Sequence, residues 1–289
     1  MQLRYFASWL SDQVSFPTIK LYLAGIRFAH IENSLADPFA DAPLLHLLLR
    51  GIKRTYGLSS RHRLPITMSV MRQLKGALAD DHQFAAQDKL MLWSAFTLAF
   101  FAFLRSSEFT SPSSTLFNPR LHLCHSDISF TTAGSLSLQL KTSKTDPFRK
   151  GCSIILAPSG RSVCAVRAMR RYLDHQPPRS ATPLYFFSTG QFLTRDKVTS
   201  ILRLLLQRLG FATESYASHS FPIGAATTAA EAGLPPWLIQ TLGRWSSNCY
   251  TQYIRTLASI LQTVPAQLAA THDTPLQSWD PSTGQCRPL

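Results

Sequence analysis

Acidic residues are scarce in this chain. Its 289 residues include 16 Asp and Glu against 29 Lys and Arg, a formal charge of +13. A surplus of that size fits a polyanionic partner, with nucleic acid first among the candidates, although many basic proteins bind no polyanion. Cysteine is also sparse. The five, Cys124, Cys152, Cys164, Cys249 and Cys286, are scattered, odd in number and contain no CxxC pair. That fits reduced thiols of a cytosolic or nuclear protein better than a secreted disulfide framework. The cluster His122, Cys124 and His125 lacks a second ligand pair at finger spacing, so no metal site is expected, and no cofactor is implied. Long apolar runs are missing as well. Leu90 to Leu104 is uncharged but shorter than the ~20 residues that cross a bilayer, and reads as a buried core helix. Arg4, Asp12 and Lys20 interrupt the first residues, so no secretory layout is present there. No internal repeat is found.

At 45% apolar residues, the chain can bury a sizeable core. The pattern predicts a mostly α (α+β) protein in two domains. Residues 1–63 read as all-helical. In TIKLYLAGIRFAHI, Ile19, Leu23, Ile26 and Ala29 recur at helical spacing, with Lys20 and Arg27 toward solvent. A leucine-rich helix follows over Pro43 to Tyr56, ending in Arg50, Lys53 and Arg54, and the polar span Gly57 to Pro65, with Arg61 and Arg63, reads as a linker. Residues 64–270 form the second domain, with Thr67 expected to cap its first helix, to about Leu78, and an apolar helix over Gln87 to Leu104. The alternation SLSLQL at Ser135 to Leu140 predicts a strand, flanked by strands at Asp127 to Phe130 and Ser153 to Leu156, in a three-stranded antiparallel sheet. Helices are predicted at Ser162 to Asp174, Thr194 to Leu209, His219 to Ala232, Pro235 to Leu242, Ser247 to Arg255 and Ala258 to Ala269. The polar, Pro-containing tail, 271–289, reads as disordered.

Several segments carry side chains suited to phosphodiester chemistry. Metal-free cleavage needs a nucleophile, cations around the non-bridging oxygens and a proton donor for the leaving 5′-hydroxyl. Arg105, in FAFLRSSEF, is a solvated helix end or a guanidinium clamp, with Glu108 placed to orient it. Lys144, in SKTDPFRKG, could carry an ammonium on a hairpin tip, and Lys141 could fill the same role; either is equally a basic turn. His219 opens a helix, where a phosphate is favoured. Trp245 offers an indole N–H, and Tyr253 and Tyr250 offer phenols one helical turn apart; in isolation each of these aromatics reads equally as packing.

Together, FAFLRSSEF, SKTDPFRKG, SHSFPIGAATTAAEAGLPPWLIQTLGRWSS and YTQYIRT, in this order, resemble the tyrosine recombinases of the phage-integrase class. Within that class they look most like the DIRS-like and Crypton-like recombinases of eukaryotic mobile elements. The resemblance implies a helical, SAM-like core-binding domain at 1–63, shortened at its front end, and a catalytic domain at 64–270 with a small three-stranded antiparallel sheet. It implies DNA cutting and rejoining through a 3′-phosphotyrosyl intermediate, DNA integration in the nucleus, and double-stranded DNA held between the domains. Arg105 matches the first catalytic arginine, Lys144 the hairpin lysine, His219 the start of the His-x-x-Arg motif, Trp245 the histidine-or-tryptophan position and Tyr253 the nucleophile. Arg244 is a candidate supporting cation, and Lys20, Arg27, Lys53, Arg54, Arg61, Arg63 and Lys141 are candidate DNA contacts. Self-association into a tetramer on DNA is implied, through a C-terminal helix at Leu257 to Leu268. The departure is Pro222, which stands where the motif has its second arginine. Proline costs the first helical turn little but brings neither charge nor donor. The sequence therefore predicts this fold with impaired cleavage. The alternatives are a DNA-binding protein derived from a mobile element that does not cut, and a relaxing enzyme of the type IB topoisomerase kind.

Overall fold

The computed structural model describes residues 2–56, 63–143, 146, 148–176, 182–245, 251, 253–254, 265, 277–280 and 285–288. The chain divides into two compact units, Met1–His62 and Arg63–Leu289.

The first unit contains α1 (Gln2–Ser11), α2 (Phe16–Glu32) and α3 (Pro43–Tyr56). The sequence pattern did not single out α1. Pro17 sits in the opening turn of α2, where its missing N–H has no helical partner to lose. The three helices pack around Ala7, Leu10, Ile19, Leu23, Leu45 and Ile52. The expected face of α2 is only half realised: Ile19 and Leu23 are buried, Ile26 is half-buried and Ala29 is exposed. The reason is that α2 is apolar around its circumference, so Leu21, Tyr22, Phe28 and Ile31 also lie exposed.

The second unit is built on α5 (Ala86–Phe101), which is buried from Met91 to Phe100 apart from the half-buried Trp93. Its buried polar groups are satisfied: the Thr97 hydroxyl donates to Trp93 O at 2.8 Å, and Asp88 accepts from the Ser188 N–H and hydroxyl at 2.6 and 2.9 Å. Around α5 pack α4 (Met68–Asp80), α7 (Ala165–Asp174) and α9 (Ser220–Glu231), while α8 (Arg195–Arg208) packs against α4 and α10 (Pro236–Gly243) against α9. Thr67 precedes α4 in an extended conformation, but its side chain makes no capping bond, so the expected cap is not formed.

The expected sheet is present: β1 (Ile128–Phe130), β2 (Leu136–Leu140) and β3 (Cys152–Leu156) are antiparallel in the order β1-β2-β3. Ile128 faces Leu138, and Leu138 faces Ile154. Leu136, Leu138 and Leu140 point into the core while Ser137 and Gln139 point away, which is the alternation written in SLSLQL. Gly134 closes the β1–β2 turn at φ +80°, a conformation that side chains other than glycine resist. Within the tail read as disordered, β4 (Gln277–Asp280) and β5 (Gln285–Pro288) pair antiparallel. The helices expected over Ser247 to Arg255 and Ala258 to Ala269 lie largely outside the described residues.

The position of α9 is fixed by backbone contact. Ile66 N–H donates to Ser220 O at 3.0 Å and Met68 N–H to the Thr228 hydroxyl at 3.2 Å. Gly224 lies so close to this segment that a Cβ there would overlap the backbone of Ile66. Gly224→Ala should therefore force α9 away and lower stability by about 2–3 kcal/mol, the upper part of the overpacking range. A urea midpoint unchanged from wild type would refute that contact.

Candidate active site

After α5 the chain reverses through Phe103, a left-handed residue at φ +53°, and enters the one-turn helix α6 (Ser106–Phe109) with Arg105 at its N-cap. Glu108 ties this corner together. Its carboxylate accepts from the Arg105 N–H at 2.9 Å, the Arg105 guanidinium at 3.2 Å, the Ser143 hydroxyl at 3.0 Å and the Arg244 guanidinium at 2.8 Å. The Glu108 side chain is only 1% exposed, against 11% for Arg105 and 16% for Arg244. Two guanidiniums thus share one buried anion.

Arg244 follows α10 at φ +55°. The sequence ended this helix at Leu242, yet Gly243 is the last helical residue and Arg244 takes the left-handed position. Gly243 is needed for room: a Cβ there would overlap the Trp245 ring. The cost of a left-handed arginine is offset by bonds to Ala102 O at 2.9 Å and Phe103 O at 3.4 Å, besides Glu108. Its direction, open in the sequence, is therefore toward Glu108 and the turn after α5.

His219 is the N-cap residue of α9. Its Nε2 lies 3.2 Å from the Tyr253 hydroxyl, with the two rings 5.4 Å apart. The Trp245 ring, 5% exposed, lies 4.7 Å from that of Tyr253 and meets Phe103 edge-on at 6.2 Å. Tyr253 is half-buried, and its carbonyl accepts from the Thr227 hydroxyl on α9 at 3.3 Å. Arg105 and His219 line one cavity of about 420 Å³. Four elements distant in sequence thus bring Arg105, His219, Trp245 and Tyr253 into one region. Pro222 is buried in the first turn of α9.

Lys141 takes a different direction from a groove-facing cation. Its ammonium is 2.6 Å from Asp127 Oδ2, 2.7 Å from Pro119 O and 3.2 Å from Cys124 Sγ. Burial pulls its pKa down, but the Asp127 carboxylate and Cys124 thiol outweigh that and hold it above its usual value. Among the candidate DNA contacts, Lys20, Lys53 and Arg54 are exposed, Arg27 pairs with Asp37 at 2.7 Å, and Arg63 donates to Glu214 O at 2.8 Å. Lys144, Arg61, Tyr250 and nearly all of Leu257 to Leu268 lie outside the described residues. The sequence reading missed Ser143, which bridges Glu108 and Arg105, and the presence of His122 and Arg195 in the same cavity. Ser143 adjoins the quoted lysine, the only hint it offered. No group of three or more potential ligands is placed to hold a metal among the described residues.

No protein-family model matches this chain. A mostly helical unit around a small three-stranded antiparallel sheet is the catalytic-domain fold of the tyrosine recombinases, and solved structures share it. One is the XerH site-specific recombinase bound to palindromic difH substrate in a post-cleavage complex: TM-score 0.59, 14% identity, covering 92% of this chain and 69% of that one. The XerA recombinase gives TM-score 0.53, 14% identity, 94% of this chain and 89% of that one. The Tn1549 transposon integrase in complex with circular intermediate DNA gives 0.55, 14%, 92% and 83%. In sequence, the chain is 26% identical over 233 residues to an integrase/recombinase xerD homolog of Selenomonas ruminantium, covering 77% of this chain and 63% of the relative. The chain thus spans less than two thirds of that relative's length. The chain is thus similar in sequence to an integrase/recombinase and shares the fold of solved recombinases and an integrase.

Proposed function

We propose that this chain is a DNA recombination and integration protein of the DIRS-like or Crypton-like group, with cleavage slowed by Pro222. The observation that carries the reading is the Tyr253 hydroxyl 3.2 Å from His219 Nε2, beside a cavity that Arg105 and His219 line. Arg105 grips the non-bridging oxygens of the scissile phosphate with its planar fork. The Tyr253 oxygen attacks phosphorus and its proton passes to His219 Nε2. The P–O5′ bond breaks, and Lys144 protonates the leaving oxygen, leaving a 3′-phosphotyrosyl ester. Lys141 is the poorer donor, because Asp127 holds its proton. Trp245 holds the Tyr253 ring. Residues 1–63 and 64–270 each bind double-stranded DNA, Lys20, Arg27, Lys53, Arg54, Arg61 and Arg63 contact its backbone, and the segment from Leu257 to Leu268 links protomers into a tetramer in the nucleus.

A pool of nicked duplexes with randomised cores tests this, since a nick traps the covalent adduct. Wild type should form it slowly and Tyr253→Phe should form none; an adduct that survives Tyr253→Phe overturns the assignment, and a normal rate overturns the impairment. Pro222 also favours a second reading, a protein that binds DNA without cutting. It predicts duplex affinity falling steeply with salt, as phosphate neutralisation releases counterions, with no adduct at any time.

A further inference from the structure

The cavity that Arg105 and His219 line receives two more donors from outside the recognised constellation. Arg195, the first residue of α8, and His122, from the loop before β1, complete its basic lining. We propose that Arg195 supplies the scissile phosphate with the guanidinium that position 222 does not, and that the Nε2–H of His122 adds a further donor. The proposal rests on reading this cavity as the phosphodiester site.

The fold brings α8 there by specific bonds. Ser111, just past α6, donates its N–H to Leu193 O at 2.9 Å, and Ser111 and Thr194 form a parallel bridge. Thr194 then caps α8 by accepting the Lys197 N–H at 3.2 Å. The first turn of α8 is thereby anchored to the segment that leaves Arg105. His122 is equally fixed. The Asn118 N–H can only donate, and it donates to His122 Nδ1 at 3.0 Å, so the ring proton sits on Nε2. Lys141 bonds Pro119 O and His122 O and thus secures the loop, and the Phe117 ring lies 5.7 Å from the imidazole. Burial, then the charge of Lys141, keep His122 below the usual histidine pKa, so it serves as a neutral donor near pH 7.

Among the described residues, two further cations near the site, Arg244 and Lys141, are engaged elsewhere. The guanidinium of Arg244 is bonded to Glu108 and to the carbonyls of Ala102 and Phe103, and Lys141 is paired with Asp127. Arg195 is exposed, and among the described residues no ion pair or hydrogen bond engages its guanidinium. Its planar guanidinium presents a fork that matches two phosphate oxygens.

Inorganic phosphate, titrated into the whole chain and followed by the imidazole resonances of His122 and His219, tests this without DNA or cleavage. Phosphate should shift both signals saturably. Arg195→Ala should weaken its affinity about tenfold or more, the loss of a charge-assisted hydrogen bond. Lys197→Ala, which removes the same charge from an exposed position on the same helix, should change it less than about twofold. The proposal is overturned if phosphate moves neither histidine, or if Arg195→Ala and Lys197→Ala behave alike. In the covalent assay, Arg195→Ala should cost wild type at least about tenfold in adduct rate and cost Pro222→Arg less, because the restored arginine takes over the oxyanion. If neither wild type nor Pro222→Arg forms an adduct, the proposed function fails, while the phosphate titration still decides the role of Arg195.

Discussion

Pro222→Arg should raise the rate of covalent adduct formation on nicked DNA by about 10²–10³-fold, the usual worth of one preorganised donor to a developing oxyanion. The argument is geometric. His219 is the N-cap of α9 and position 222 lies three residues on, in its first turn. Residues three apart share a helix face, so an arginine at 222 would leave α9 on the side of His219, whose imidazole meets the Tyr253 hydroxyl. Proline fits that turn because its missing N–H has no intrahelical acceptor there, so its removal should leave the helix intact. The demand falls on space, since Pro222 is buried and the longer side chain must extend into the cavity of about 420 Å³ beside Arg105. A thermal melt separates the two effects: a variant that melts near wild type and cuts no faster would show that Pro222 is not what limits the site. Combining it with Tyr253→Phe should abolish the adduct, which ties any gain to that phenol.

The parts of this site that sequence made legible are those set by local periodicity. SLSLQL set the inward face of β2, and the helix expected over His219 to Ala232 is found as α9 at Ser220–Glu231, because both patterns repeat over several residues and bury one face or a whole helix. The grouping of Arg105 with Glu108 was also readable, since three residues of helix put them together. What sequence could not supply was side-chain direction across long separations. Arg244 reaches Glu108 because the end of α10 meets α6 in space, and Lys141 reaches Asp127 across the β1–β2 pairing. Gly243 ends α10, and what requires a glycine there is the Trp245 ring two residues later. Arg195 lay unremarked at a helix start, because only the Ser111–Thr194 bridge brings that turn to the cavity.

Glu108→Ala should cost about 3–5 kcal/mol of folding stability, the range for removing one partner of a buried ion pair. The carboxylate is 1% exposed and takes four donors, two of them guanidiniums. Without it, Arg105 and Arg244 would face each other with no anion between them, and the Arg105 N–H would lose its acceptor. Glu108→Gln keeps one acceptor oxygen but removes the charge and turns the other oxygen into an NH2 that faces donors, so its cost should be about 1.5–3 kcal/mol. The cause can be separated from lost packing by a second substitution. Arg244→Met in the Glu108→Ala background removes one orphaned cation and keeps an apolar stem against the turn after α5. The double variant should therefore unfold at higher urea than Glu108→Ala alone, a coupling that simple cavity formation does not produce. Equal midpoints for the single and double variants would mean that Glu108 acts by filling space. In that case Arg105 would hold its direction without it, and phosphate affinity in Glu108→Ala, measured on the folded fraction, would match wild type.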